Sequence, residues 1–209
     1  EHALDTKAFL SIIWGILKPG GYIVFEVPDC TKEMDNNDYT MPWEEHILYF
    51  VPETLKSFFG YTSYDLVQFQ QYPYKTEDVQ IAIVQKNENS ERKNLDPTLV
   101  DVLPEAFKKS EDYAESFFQY KKIIHSYLKE YSSSVGKIAI LGAGHRTVMY
   151  IKAMEIEDFI DFIIDDTEHK QNLYLAGTSL QIKSSEFLKK DNISLCLFCL
   201  SIQHEDKII

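Results

Sequence analysis

The sequence predicts an α/β protein made of two units, and three observations carry that reading. Residues 1–86 run helix, strand, helix, strand, strand by their apolar spacing. Residues 135–209 run strand, glycine turn, helix, strand, helix, strand, the order of a small doubly wound sheet. Between them, residues 87–134 turn polar and then carry one long amphipathic stripe.

The first helix places Phe9, Ile12, Ile13, Ile16 and Leu17 at helical spacing, and Lys18, Pro19, Gly20 and Gly21 end it. "YIVFEVP" is continuous and β-branched, which predicts a strand buried on both faces of a parallel sheet. A polar loop covers residues 29–41, and "PWEEHILYF" at 42–50 sets two acids and a histidine before a burial-prone, strand-like run. "PETLKSFFGY" at 52–61 reads as a short helix with proline at its start and Gly60 near its end. "YDLVQFQQY" and "VQIAIVQK" alternate apolar and polar residues, as the arms of an antiparallel edge pair do. A parallel sheet does not begin with a crossover helix and one central strand. Residues 1–86 therefore read as the second half of a larger α/β domain, and the chain as a fragment.

Residues 87–112 read as a linker. Tyr113, Phe117, Tyr120, Ile124 and Leu128 then form the packing stripe of a helix that serines 132–134 end, with His125 off the stripe, either structural or solvated. "GKIAILGAGHRTVMYIKAM", "FIDFIIDD" and "SSEFLKKDNISLCLFCLS" supply the strands and helices of the second unit.

A net charge of −12 over 209 residues argues against a nucleic-acid surface, which needs clustered Lys and Arg. No apolar run approaches the roughly 20 residues of a membrane span, and the N-terminus lacks a signal-peptide pattern, so the expectation is a soluble, cytoplasmic protein. Cys30, Cys196 and Cys199 read as buried apolar thiols; a metal or redox pair is disfavoured because Cys196 and Cys199 sit inside a strand pattern.

Two stretches carry chemistry. "GAGHRT" at 142–147 has two glycines of a dinucleotide fingerprint, Gly142 and Gly144, but Thr147 stands at the third position. A turn of this kind lets a phosphate approach a helix N-terminus, with Arg146 as a possible fork and Asp165 as a ribose ligand. The pattern leaves open a tight strand-to-helix turn with no ligand. In "WEEHILYF", carboxylates directly before His46 are expected to raise and orient its imidazole, making a base that works near neutral pH; the other reading is a solvated loop with charged tips.

Taken in order, these pieces resemble the three-part sugar C-methyltransferases, which act on nucleotide-linked keto-deoxysugars. That family's Glu-His segment, its "L-L-K-x-x-G-x-x-v-f-E-V-P" run and its "Y-x-E-H-x-x-Y-F" signature stand here as Glu1-His2, "GILKPGGYIVFEVP" and "WEEHILYF". Its C-terminal glycine turn, "v-D-D-x-x-x-K-q" and "P-G-T-x-x-x-I" segments stand as "ILGAGHRT", "IIDDTEHKQ" and "LAGTSLQI". The family's signature tyrosine is Trp43 here, and its lysine after the glycine turn is Arg146.

The resemblance implies the back half of a class I methyltransferase sheet (1–86), a linker and long helix (87–134), and a Rossmann-like C-terminal domain (135–209). It also implies S-adenosylmethionine as cofactor and a nucleotide sugar or similar ketone as substrate. In the roles it implies, His46 is the base and Glu45 orients it or shuttles its proton. Glu1 and His2 border the cofactor. Glu26, Pro28, Trp43, Gly142, Gly144, His145, Arg146 and Asp165 face substrate. It assigns no metal within this chain, because the family's zinc-binding cysteines and glycine-rich cofactor loop precede the matching part, and the fragment alone is expected to be inactive. The alternatives weighed are an NAD-dependent oxidoreductase, resting on "GAG" and "IIDD", and a non-catalytic nucleotide-sugar binder. Oligomeric state is not legible.

Overall fold

The computed structural model describes residues 1–74, 77–87, 102–134 and 136–199. The chain divides into two compact α/β units, Glu1–Asn37 with Glu44–Ala114 and Asp38–Trp43 with Glu115–Ile209. The second unit thus takes in a piece of the polar loop that follows the first strand.

In the first unit, α1 (Thr6–Ile16) starts at Asp5, whose side chain accepts from the Ala8 amide at 2.9 Å. It packs through Leu10, Trp14 and Leu17, while Phe9, Ile12 and Ile16 are exposed. The stripe expected to pack is therefore only partly the one that does. The helix is apolar over more than one face, and spacing alone does not choose which row meets the sheet.

Strands β1 (Tyr22–Pro28), β2 (Tyr64–Tyr72) and β3 (Val79–Lys86) form a sheet in the order β1-β3-β2, and β3 is antiparallel to both neighbours. The expected antiparallel pair of β2 and β3 is present. β1, expected to be parallel-paired and buried on both faces, pairs antiparallel with β3, and its alternate residues Tyr22, Val24 and Glu26 are exposed. A continuous β-branched run reports apolar capacity on both faces; a second covering layer has to exist before both are buried.

The helices α2 (Thr31–Asp35) and α3 (Pro52–Gly60) follow β1. Leu55 and Phe59 of α3 join Leu10, Val27, Phe50, Tyr64, Ala82 and Val84 in one core. The even positions of β3, from Gln80 to Lys86, are buried on the helix-facing side. At its end, Lys86 donates through Nζ to the carbonyls of Trp14 and Leu17, both at 2.9 Å, and lies 4.7 Å from the Trp14 ring. These are carbonyls that the last turn of α1 leaves unpaired. Replacing Lys86 with Met keeps the volume and removes the donor, and we expect a loss of about 1–2 kcal/mol from the first unit, read as a lower urea midpoint.

Residues 42–50 adopt no regular structure, against the expectation of a buried strand, and Ile47 is exposed. Their backbone is held by other segments instead: Ile47 N donates to Glu1 O at 2.7 Å, and Cys30 N to Phe50 O at 3.0 Å. The fully buried Gln80 donates through Nε2 to Pro28 O at 2.9 Å and to Phe50 O at 3.1 Å. Gln80 thus ties the tip of β1 to the segment that carries His46.

Helix α4 (Leu103–Ser134) begins inside the segment that reads as a linker, taking in residues 103–112. Pro104 is tolerated in a first turn, and Lys108 pairs with Asp112 one turn on at 2.8 Å. The remainder of that linker, residues 88–101, lies outside the described residues. Leu128 is fully buried, and Phe117 meets the buried Tyr39 ring at 5.4 Å. His125 donates through Nε2 to Met154 O and meets Phe159 edge-on, the structural one of its two expected roles.

The second unit has four parallel strands, β4 (Lys137–Leu141), β5 (Phe162–Ile164), β6 (Ile182–Lys183) and β7 (Ile193–Phe198), in the order β6-β5-β4-β7. Helix α5 (His145–Met154) links β4 to β5, and α6 (Phe187–Lys190) precedes β7. Ile138 to Ile140 and Phe162 to Ile164 are buried, giving the unit its core. The chain steps from β4 out to β6 and returns on the other side of β4, so the strand order reverses between β4 and β7. Crevices at such reversals, beyond the carboxyl ends of the strands, are where open α/β sheets take ligands. Cys30 and Cys199 are buried, with thiols pushed up to about 12 chiefly by that burial, and Cys196 is partly buried. Among the described residues no helix is long and apolar enough to cross a membrane.

Candidate active site

In the first unit, the chain start and the loop after β1 bring four predicted residues together. His2 lies edge-on to His46, with ring centroids 4.7 Å apart. Its Nδ1 is 3.1 Å from the carbonyl oxygen of Glu45, and a carbonyl only accepts, so Nδ1 carries the proton. The other ring nitrogen, Nε2, is 3.5 Å from Glu1 Oε1. The Glu1 carbonyl in turn accepts from Ile47 N and Leu48 N, which fixes residues 1–2 against residues 45–48. Two sequence stretches more than forty residues apart thus form one cluster of two imidazoles, the Glu1 carboxylate and the Glu45 main chain.

The electrostatics of His46 differ from the expectation. Its pKa is lowered from the ordinary histidine value, because burial and the neighbouring His2 ring outweigh the upward pull of Glu1 and Glu45. Neighbouring carboxylates suggested a raised value; a half-buried ring beside a second imidazole is harder to charge. The direction suits a base, since the neutral ring is the form present at neutral pH. Glu45 itself is exposed and meets His2 through its main chain. Glu26 is exposed on β1, and Pro28, half-buried, enters the hydrogen-bond network through its carbonyl.

The other predicted residues belong to the second unit, where they surround the glycine turn at the β4/β7 reversal. Gly142 has φ 102°, a conformation that side chains rarely adopt, and donates to Ile164 O at 2.7 Å. Gly144 is the N-cap of α5, and a Cβ built there meets nothing within 4 Å, so the approach to this helix start is open. Thr147, standing where a third glycine would be, is buried and donates its hydroxyl to Gly142 O. Trp43 stacks on His145, with ring centroids 4.3 Å apart and planes at 26°. Arg146 donates to Asp38 Oδ2 at 3.2 Å and to Thr40 Oγ1 at 3.1 Å, so the segment 38–43 is fastened beside the turn.

Asp165 is engaged inside the fold. Its Oδ2 accepts from Ala143 N at 2.8 Å and from Lys170 Nζ at 3.0 Å, and its Oδ1 from Thr167 N at 2.9 Å. Lys170 also donates to Ala143 O at 3.1 Å. Burial alone raises this carboxyl's pKa, but the bonds from Thr167, Ala143 and Lys170 outweigh it and hold the group well below the usual carboxylate range. The "DDTEHK" stretch therefore braces the glycine turn from behind. Sequence reasoning quoted Lys170 without giving it a role, and it missed Asp38, Thr40 and Gln80. Asp38 and Thr40 sit in a polar loop that offers no signal; Gln80 could have been noticed as a polar residue at a buried position of an alternating strand.

A family model described as the C-methyltransferase C-terminal domain matches residues 80–209, more than half of the chain. The chain belongs to this C-methyltransferase family. No curated protein matches it. The match spans β3 from Gln80, α4 and the second unit apart from its Asp38–Trp43 segment, so the braced glycine turn lies within the matched residues and the His46 cluster precedes them. Carbon is a poor nucleophile until a proton leaves it, so C-methylation calls for a base and an acceptor of the electron pair. The first unit brings two imidazoles together, a group type able to take a proton, and Asp165, the first acid of "IIDD", is bonded within the fold to Ala143 N and Lys170.

Proposed function

We propose that this chain is part of an S-adenosylmethionine-dependent enzyme that methylates the carbon next to a ketone on a nucleotide-linked deoxysugar, with His46 as the base. The observation that carries this reading is the convergence of Glu1, His2 and His46 in one cluster, pinned to the main chain of Glu45. The ordered set of sugar C-methyltransferase motifs supports the substrate class.

The neutral His46 ring takes the proton as the carbon–hydrogen bond breaks, and the electron pair moves onto the ketone oxygen. Keeping base and carbon in line can supply about 7–11 kcal/mol of barrier reduction. His2, pinned to the Glu45 carbonyl, disfavours charge on the His46 ring and keeps it ready as a base. Glu45 takes the proton onward to solvent, a role its exposure suits. The Glu1 carboxylate, 3.5 Å from His2 Nε2, puts a negative charge in the cluster that fits a sulfonium cation beside it. Bound S-adenosylmethionine supplies the electrophilic methyl group. In the second unit, the open helix start at Gly144, the Trp43–His145 stack and Arg146 suit a nucleoside diphosphate, and Gly142 shapes the turn. Glu26 and Pro28, at the carboxyl end of β1, are proposed to border substrate, as ligands of open α/β sheets gather there.

Proton abstraction can be read apart from methyl transfer. With the methyl donor withheld, the complete enzyme in deuterium oxide is expected to exchange the hydrogen next to the ketone of its nucleotide-sugar substrate, and the His46→Asn enzyme to exchange it at least about 100-fold more slowly. Equal exchange by both would remove His46 as the base.

A further inference from the structure

The cluster of the first unit has a second chemical capacity, independent of any reaction. Glu1, His2 and His46 each present one ligand atom, and these three atoms all lie within 4.8 Å of one another. The 3.5 Å between His2 Nε2 and Glu1 Oε1 is close to the edge of a tetrahedral site with bonds of about 2.0–2.1 Å, which is about 3.4 Å. His2 is also arranged as metal-bound histidines are: Nδ1–H donates to a main-chain carbonyl, which fixes the tautomer and directs the Nε2 lone pair toward Glu1. We infer that Glu1, His2 and His46 form a binding site for a divalent transition metal such as Zn²⁺, held by two imidazoles and one carboxylate with one position open.

The donor set selects the ion. Mixed nitrogen and oxygen ligands favour zinc, cobalt, nickel or copper, whereas magnesium and calcium prefer oxygen alone. Since no two of the three ligand atoms are more than 4.8 Å apart, closing the site asks a side chain to move by at most about 1.4 Å, within the reach of a side-chain rotation on an irregular loop. The buried thiols of Cys30 and Cys199 are poor competitors, since only a thiolate binds metal and burial pushes both up to about 12. Where His46 is also the base, the ion acts as an inhibitor, because one lone pair cannot serve a metal and a proton together.

The test is a titration of the 209-residue chain with cobalt(II), followed by visible absorption in the absence of any substrate. We expect one equivalent to give the intense bands of a low-coordinate ion, displaced by zinc and not by magnesium. His2→Asn keeps a donor for the Glu45 carbonyl and removes Nε2; with Glu1→Gln, it should weaken cobalt binding by at least about tenfold. Substoichiometric cobalt should also broaden the ring proton resonances of His2 and His46 in the unaltered chain and spare those of His125 and His169, a readout that needs no variant. A spectrum of free aqueous cobalt throughout, binding unaffected by both substitutions, or broadening centred on the other histidines would overturn the site. These readouts involve no methyl transfer, so their outcome is separate from that of the base assignment.

Discussion

His46→Asn in the complete enzyme is expected to lower the turnover number for methyl transfer by at least about 100-fold, with the protein still folded. Asparagine approximates the imidazole in size and polarity but has no lone pair able to take a proton at neutral pH. The ring is half-buried and set against His2, so the substitution leaves a polar, hydrogen-bonding group where a base stood. A rate measured at saturating substrate and methyl donor separates this from a binding effect, because a group that acts only as the proton leaves changes kcat and not KM. Near-normal turnover by a well-folded variant would take His46 out of the mechanism and leave the cluster as packing.

The second large effect belongs to stability. Asp165→Asn is expected to destabilise the second unit by about 2–3 kcal/mol at neutral pH. The carboxylate accepts from two main-chain amides and from Lys170, and an amide in its place offers one acceptor and sets a donor against one of those groups. The effect carries a pH signature. The folded-state pKa of Asp165 lies below its ordinary value of 3.8, so its contribution is complete above that value and is lost as pH falls below it. Urea midpoints of the two proteins should therefore differ most near neutrality and converge in acid. A difference that persists undiminished at low pH would mean that the ionised carboxylate is not what holds the turn.

The same residues show where sequence reasoning was sufficient and where it was not. The order β4, α5, β5, α6, β7 was legible because its signals are local: apolar runs at 137–141, 162–164 and 193–198, a glycine turn that needs φ 102° at Gly142, and a helix directly after it; the two-residue β6 was not read. The antiparallel pairing of β2 with β3 was legible for the same reason, through period-two alternation. The start of α4 was not, because proline and charged residues suit a linker and a first helical turn equally well. β1 was misread as buried on both faces because an apolar run states what a strand tolerates, and its partners decide what is covered.

The candidate site divides in the same way. That Glu45 and His46 precede a burial-prone segment, and that a glycine turn precedes a helix, are facts of the chain alone, and they sufficed to nominate a base and a ligand-accepting turn. Only the tertiary structure placed Glu1 and His2 against residues 45–48, lowered the pKa of His46 where its neighbours in sequence suggested the reverse, set Trp43 on His145, and turned Asp165 inward to Lys170 and Ala143. Backbone conformation and element order follow from steric and hydrogen-bonding preferences within a few residues. The charge state of a group depends on burial and on fields from residues distant in sequence, and those are defined only once the chain has folded.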